Sequence, residues 1–173
     1  MKVILVSGTP GTGKTTLSKK LAKKLEYLYL DVNKIISKYK LSEGSDKIRK
    51  TKIIDVKKLN VGLIKEIKLI KKCINGKNSI NFKKIKGIII DSHLSHYLPR
   101  KYADLCIVAK CDINELNKRL KRKKFHKDKI QENLQAEIFD ICLNEAKERK
   151  HKIIAVDTTK GFNINQIAKK LGG

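Results

Sequence analysis

Two kinds of hydrophobic pattern alternate along this chain. Short runs of consecutive apolar residues, rich in valine and isoleucine, have the length and composition of strands buried in a parallel sheet. Between them lie stretches in which apolar residues recur every three or four positions, as on one face of a helix. This alternation predicts an α/β domain with a five-stranded parallel sheet and right-handed crossovers. The predicted strands cover residues 3–6, 27–31, 87–91, 105–109 and 153–157.

The second pattern predicts the helices. They are expected over about 14–24, 32–40, 56–75, 128–149 and 163–171. A further helix should open at Asp112, because residues 112–115 (DINE) look like a capping box. The polar residues 41–51 are predicted to form a loop. The 128–149 helix should bury one face, which carries Ile130, Leu134, Ile138, Ile141 and Cys142.

The segment between the first strand and the first helix carries the most specific motif. Residues 8–16 read GTPGTGKTT and fit G-x-x-x-x-G-K-[ST], the phosphate-binding P-loop. Gly11 and Gly13 have no Cβ to obstruct the approach of phosphate oxygens to backbone N–H groups. Lys14 supplies a mobile positive charge for the β- and γ-phosphates, and the Thr15 hydroxyl is placed to ligate Mg²⁺. The sequence therefore predicts binding of a nucleoside triphosphate.

The third predicted strand ends in Asp91, which is the Walker-B pattern. Asp91 would hold Mg²⁺, through a water molecule, opposite Thr15. His93 follows two residues later and points to the same side, so it is a candidate to orient a water or a transferring phosphate. The alternative for His93 is a loop histidine that packs against the neighbouring turn. His96 receives no predicted role.

The densest basic segment covers residues 119–129, between two predicted helices. A basic turn late in a P-loop chain is where a lid that clamps phosphate groups is expected. The alternative is a solvated, lysine-rich surface loop.

Net charge is the unusual feature of the composition. Lysine and arginine number 41 against 17 aspartates and glutamates, a formal net charge of +24. A nucleotide pocket alone does not require this excess, which suggests a polyanionic partner such as RNA. The alternative is the lysine bias of an A+T-rich genome. Aromatic residues that would stack on bases are sparse.

The remaining composition indicates a single cytoplasmic domain over residues 1–173. The four cysteines form no C-x-x-C pair, which predicts free thiols in a reducing, intracellular compartment. Met1 and Lys2 lead directly into the first strand, so no signal peptide is expected. The apolar runs are too short to span a bilayer, and no membrane contact is predicted.

Other P-loop classes fit less well. GTPases read guanine with N-K-x-D, whereas residues 33–36 read NKII and lack the aspartate. Large motor and AAA-type ATPases are expected to need a longer chain. A small nucleotide or metabolite kinase fits both the length and the basic lid.

Three segments carry a resemblance to the adenylate kinase isoenzyme 6 family of archaea and eukaryotes. They are residues 8–17 (GTPGTGKTTL), the DSH element at 91–93 with Leu98-Pro99 after it, and Arg119-Leu120 followed by residues 129–139 (KIQENLQAEIF). The Asp-x-His element and the Asn-x-x-x-Glu-Ile-Phe helix distinguish this family from ordinary adenylate kinases. The resemblance spans nearly the whole chain and is weakest between Ser42 and Phe82.

The resemblance implies a broad-specificity nucleoside monophosphate kinase that uses Mg²⁺ and ATP with AMP, and that also hydrolyses ATP. It further implies a role in maturing small-subunit ribosomal RNA, with a small-subunit ribosomal protein as partner. An NMP-binding segment would cover about 31–54, including Asp31 and Asn33, and a lid about 122–132. The ATP contacts would be Gly11, Gly13, Lys14, Thr15 and Thr16.

One departure from the family pattern concerns the lid. The family's lid arginine aligns with Lys123, and an arginine sits one residue earlier, at Arg122. Lysine cannot form the bidentate contact that arginine makes with phosphate. Either Arg122 acts as the catalytic lid cation after a local shift, or Lys123 contacts ATP and clamps it more loosely. Arg49 is the candidate for the NMP-site arginine.

Overall fold

The structure is a computed structural model that describes residues 1–46, 51–75 and 85–171. These residues contain seven strands and seven α-helices. The strands are β1 (Lys2–Ser7), β2 (Tyr27–Asp31), β3 (Ser42–Asp46), β4 (Thr51–Ile54), β5 (Gly87–Asp91), β6 (Leu105–Lys110) and β7 (Ile153–Asp157). The helices are α1 (Lys14–Leu25), α2 (Val32–Lys38), α3 (Val56–Asn75), α4 (Ile113–Arg122), α5 (Lys127–Ile138), α6 (Ile141–Glu148) and α7 (Ile164–Lys170).

Five parallel strands form the central sheet, in the order β2-β5-β1-β6-β7. Alternate residues of these strands enter two hydrophobic cores, one on each face. On β1, Val3 and Leu5 pack beneath α2, α3 and α6, whereas Ile4 and Val6 pack beneath α1 and α7. Burial on both faces explains why the sequence shows continuous apolar runs rather than alternation. The predicted fold is confirmed.

The central strand β1 marks the point where the direction of winding reverses. The chain fills the β5 side of β1 first and then crosses to the β6 side. A crevice therefore opens at the carboxyl ends of these strands, where ligands of open α/β sheets bind. The loop after β1 and the end of β5 meet there, because Val6 is paired with Asp91.

The predicted loop at 41–51 is wrong in part. Strands β3 and β4 pair antiparallel, with Ser42 opposite Ile54 and a bulge between Ser42 and Gly44. Because this pair lies apart from the central sheet, its sequence lacks the apolar alternation that would reveal it. Arg49 lies outside the described residues.

The predicted single helix over 128–149 is also wrong. It is divided into α5 and α6 at Asp140, whose backbone adopts a left-handed conformation with φ 53°. The Lys110 ammonium contacts both the Glu137 carbonyl oxygen (3.1 Å) and the Asp140 carboxylate, which holds the break. The break turns Ile138 (58% exposed) and Ile141 (42% exposed) toward solvent, so the expected continuous buried face does not exist.

Candidate nucleotide site

The P-loop connects β1 to α1 through backbone conformations that need glycine. Gly8 has φ +135°, and a Cβ there would lie 2.5 Å from the Ala109 carbonyl oxygen. Gly13 is the N-cap of α1 with φ 87°, and no described side chain caps this helix. The first N–H groups of α1 are therefore available to an anion, and the helix dipole adds positive potential.

Hydrogen bonds within the loop hold its shape. The Thr12 backbone N–H and side-chain hydroxyl both donate to the Thr9 carbonyl oxygen, at 3.2 and 2.9 Å. The Lys14 ammonium reaches the same oxygen at 3.3 Å. From the other side, the Thr158 hydroxyl donates to the Thr12 carbonyl oxygen. Burial lowers the pKa of Lys14, while Asp91 acts in the opposite direction. A buried cation of this kind gains most from an anionic ligand.

A cleft of about 520 Å³ lies above the loop. All of the residues predicted to contact ATP line it, and so do both candidate lid cations. Its lining consists of Gly11, Gly13, Lys14, Thr15, Thr16, Lys20, Arg119, Arg122, Lys123, Thr158, Gly161 and Phe162. The cationic lining and its position match what a polyphosphate requires.

Arg119 is a cleft residue to which sequence analysis assigned no role. Its guanidinium donates to the carbonyl oxygens of Thr158 (2.9 Å) and Thr159 (2.8 Å), and to Glu115 (2.8 Å). These contacts fix it between α4 and the loop after β7. The planar guanidinium of Arg119 and the Phe162 ring both line the cleft, and flat groups of these kinds are suited to contact a nucleobase. The signal available in the sequence was its place in the Arg119-Leu120 motif.

The predicted lid region contains a short connection between two helices. Helix α4 ends at Arg122 and α5 begins at Lys127, so only residues 123–126 connect them. The Arg122 side chain is 72% exposed, and its nearest carboxylate is Glu115 at 3.6 Å. Among the described ion pairs this is a loose one, and it leaves the guanidinium able to turn toward a phosphate. Lys123 is the C-cap of α4 and lines the same cleft.

Asp91 lies at the floor of the crevice and is 5% exposed. Its Oδ2 accepts a hydrogen bond from the Tyr29 hydroxyl at 2.9 Å. Its Oδ1 is buried and has no hydrogen-bond partner among the described residues. No cluster of three or more His, Cys, Asp or Glu in the described ranges could hold a metal ion. The Thr15 hydroxyl and Asp91 Oδ1 are oxygen ligands that could hold a divalent cation together with phosphate oxygens and water.

His93 and His96 have different surroundings. His93 is an exposed residue, and desolvation, followed by the charge of the Lys14 ammonium, lowers its pKa to about 4. It is therefore neutral at physiological pH. His96 is 1% exposed, with Nδ1 2.6 Å from the Ser7 hydroxyl and Nε2 2.8 Å from Glu145. It ties β1 to α6, a structural role that sequence analysis did not foresee.

Asp31 and Asn33 lie outside this cleft. The Asp31 carboxylate accepts from the Asn33 backbone N–H at 2.9 Å and caps α2. Pairing of β2 with β5 sets Asp31 beside Asp91, at the same edge of the sheet. Both residues thus border the crevice on the side away from the lid.

Glu137 connects α5 to the P-loop. Its carboxylate is 4% exposed and accepts from the Thr9 hydroxyl (2.6 Å) and the Cys111 backbone N–H (3.0 Å). The Lys110 ammonium lies 2.9 Å away and compensates its charge. This buried contact explains the glutamate of the Asn-x-x-x-Glu-Ile-Phe segment, since it fixes the helix after the lid to the phosphate-binding loop.

Comparison with known proteins gives the family. A family model described as an AAA domain matches residues 4–140. A relative from Thermococcus kodakarensis, named "Putative adenylate kinase", is 37% identical over 158 residues, which is 91% of this chain and 76% of that protein. One of the same name from Methanocaldococcus jannaschii is 36% identical over 156 residues, 90% of this chain and 76% of that protein.

The chain belongs to the family that the AAA domain model describes and that these relatives represent. The region matched by the family model, residues 4–140, contains the P-loop, the end of β5 and most residues that line the cleft, whereas Thr158, Gly161 and Phe162 lie beyond it. The length-based exclusion of AAA-type proteins is therefore wrong for the domain itself, whose core fits within this chain.

Solved structures share the family's fold at low sequence identity. Deoxyadenosine kinase from M. mycoides, with bound dATP, covers 100% of both chains at TM-score 0.55 and 18% identity. Shikimate kinase from Acinetobacter baumannii, in complex with shikimate, covers 99% of this chain and 90% of that chain at TM-score 0.54 and 16% identity. These likenesses show a P-loop kinase fold.

Within the described ranges, no helix has the length and apolar content to cross a bilayer.

Proposed function

We propose that the protein is a nucleoside monophosphate kinase of the adenylate kinase type, which transfers the γ-phosphoryl group of ATP to AMP. The observation that carries the proposal is one cleft that combines the open N-terminus of α1, Lys14 and the lid cations. Relatives named "Putative adenylate kinase" support the same assignment. The DSH element and the Glu137 helix further favour the isoenzyme 6 branch of these kinases.

Mg²⁺ would accompany ATP. Asp91 Oδ1 fits this role because it is buried and unpartnered among the described residues, and a cation would satisfy it. Thr15 would supply a hydroxyl ligand from the first turn of α1. When bound, Mg²⁺ would neutralise part of the charge that develops on the phosphates.

The protein's own groups would do the rest by positioning and charge neutralisation. The α1 N–H groups would hold the β-phosphate, and Lys14 would exchange its contact with the Thr9 carbonyl oxygen for the γ-phosphate. Arg122 and Lys123 would close over the phosphates and exclude water. The acceptor would enter from the 31–54 segment, where Asp31 and Asn33 border the crevice, and His93 would orient a water or the acceptor phosphate.

A second candidate function is an ATP-hydrolysing factor in small-subunit ribosomal RNA maturation, bound to ribosomal protein and RNA. The net charge of +24 favours it, since AMP and ATP alone do not require so basic a protein. The two functions differ in the acceptor of the phosphoryl group, which is AMP in the first and water in the second.

A side-by-side assay separates them. ADP formation and phosphate release from ATP are measured with and without AMP, on the wild type and on Lys14→Ala. AMP-dependent ADP formation much faster than hydrolysis supports the kinase, and hydrolysis stimulated by RNA or ribosomal protein supports the second function. Lys14→Ala should lose roughly 10²-fold or more of both activities. Near-normal activity of a folded Lys14→Ala protein would remove the P-loop from the mechanism.

A further inference from the structure

Tyr29 lies on β2 and reaches into the metal side of the proposed site. Its ring packs in the core beneath α1, with the Lys19 ammonium 5.6 Å from the ring centroid. Its hydroxyl extends beyond that apolar contact and donates to Asp91 Oδ2 at 2.9 Å. This hydrogen bond connects Tyr29 to one of the two residues that would hold Mg²⁺.

The two oxygens of the Asp91 carboxylate have different surroundings. The Tyr29 hydroxyl occupies one carboxylate oxygen and leaves the other, Oδ1, buried without a partner in the described part of the chain. A carboxylate with one oxygen held by a fixed donor cannot rotate freely, so the choice of the open oxygen is made before any ligand arrives. Outer hydrogen bonds of this kind orient metal ligands in proteins.

We propose that Tyr29 is a positioning residue that orients the Asp91 carboxylate for the Mg²⁺ of Mg-ATP. This inference rests on the proposed function. It concerns the metal rather than the nucleotide, because the Tyr29 hydroxyl contacts neither the backbone N–H groups of the P-loop nor Lys14 in the described hydrogen bonds.

Tyr27 provides a matched control. It lies two residues earlier on the same strand, so its ring points to the same face and packs in the same core. Its ring lies against Gly87, at the opposite end of β5 from Asp91. Tyr27→Phe and Tyr29→Phe each remove one hydroxyl from this face, and only Tyr29→Phe removes the hydrogen bond to Asp91.

The experiment measures metal and nucleotide binding separately. Mn²⁺ binding to the complex with a non-hydrolysable ATP analogue is followed by electron paramagnetic resonance, and binding of the analogue alone is measured in EDTA. Tyr29→Phe should weaken Mn²⁺ binding about 10-fold or more, the usual cost of losing such a partner. It should change metal-free binding of the analogue less than about 2-fold, and Tyr27→Phe should change neither quantity.

Each result decides the inference. Wild-type Mn²⁺ affinity in Tyr29→Phe would overturn it, and so would an equal loss of metal-free nucleotide binding, which would indicate a packing role. Thermal unfolding of both variants checks that the fold is retained, and Tyr29→Trp serves as a second variant that keeps a bulky ring without the hydroxyl. If the wild type fails to bind the analogue, the proposed function is refuted. If the wild type binds the analogue with Mn²⁺ and Tyr29→Phe does so equally well, only the proposed role of Tyr29 is refuted.

Discussion

At the scale of single residues, two histidines three positions apart are used in different ways. His96 is buried between Ser7 and Glu145, with hydrogen bonds at both ring nitrogens. His93 keeps its ring at the surface near Lys14, and its lowered pKa keeps it neutral. A neutral imidazole can accept a proton or orient a water, so His93 is the one suited to act on a ligand.

His93 should affect hydrolysis more than transfer. We expect His93→Ala to lower ATP hydrolysis several-fold more than ADP formation with AMP, because a bound acceptor replaces the water that the imidazole orients. The measurement is the ratio of the two rates at saturating ATP. Asp91→Ala is the comparator and should lose both activities. An equal loss of both in His93→Ala would indicate a structural or general phosphate-binding role.

At the scale of elements, the sequence predicts the strands, helices and loops that have a local apolar pattern or a motif of fixed spacing. The sequence predicts β1, β5 and β6 because they are buried on both faces, and it predicts the P-loop because its glycines and lysine have fixed spacing. The β3–β4 pair and the break at Asp140 were missed because they depend on contacts made in three dimensions. Lys110, which is distant in sequence, contacts Asp140 at the break, so no local sequence pattern predicts the break.

The same limit applies to the site. Lys14, Thr15 and Asp91 can be proposed from the sequence because their spacing follows from the chemistry of phosphate and metal. Tyr29 and Arg119 cannot be ranked above other tyrosines and arginines from the sequence, since their contacts form only when strands and helices pack.

The lid element carries a prediction of its own. If Arg122 is the clamp, Arg122→Lys should lower turnover roughly 10-fold, the value of one charged hydrogen bond, because the planar pair of donors is lost. Lys123→Ala should have a smaller effect. Lys121→Ala is the control, since it removes a neighbouring exposed lysine that does not line the cleft. Steady-state kinetics with ATP and AMP would contradict this assignment if Lys123→Ala were the worse variant and Arg122→Lys nearly silent.

At the scale of the whole molecule, the net charge of +24 should bind RNA. If about six phosphates are contacted, affinity should fall on the order of 10³-fold between about 50 and 200 mM salt, through counterion release. Sequence preference should be weak, because few aromatic side chains are available for stacking. Filter binding of ribosomal RNA fragments over this salt range, with ATPase assays on the same samples, is the measurement.

Lys14→Ala is the control for this charge effect and should bind RNA normally, since Lys14 is turned into the P-loop. Undetectable binding at low salt would leave genome-wide lysine bias as the explanation of the charge. Binding without any change in hydrolysis would favour the metabolic kinase.

The buried contact between Glu137 and Thr9 limits how α5 can move relative to the P-loop. Near its C-terminal end, α5 is held to the P-loop and to the Cys111 backbone. If residues 122–132 form a lid, its hinge would lie ahead of Glu137, and Arg122, Lys123 and the first turns of α5 would form the moving part. Movement of that part would be transmitted through Glu137 to Thr9, so that closing over a nucleotide and reshaping the P-loop would form one mechanical movement.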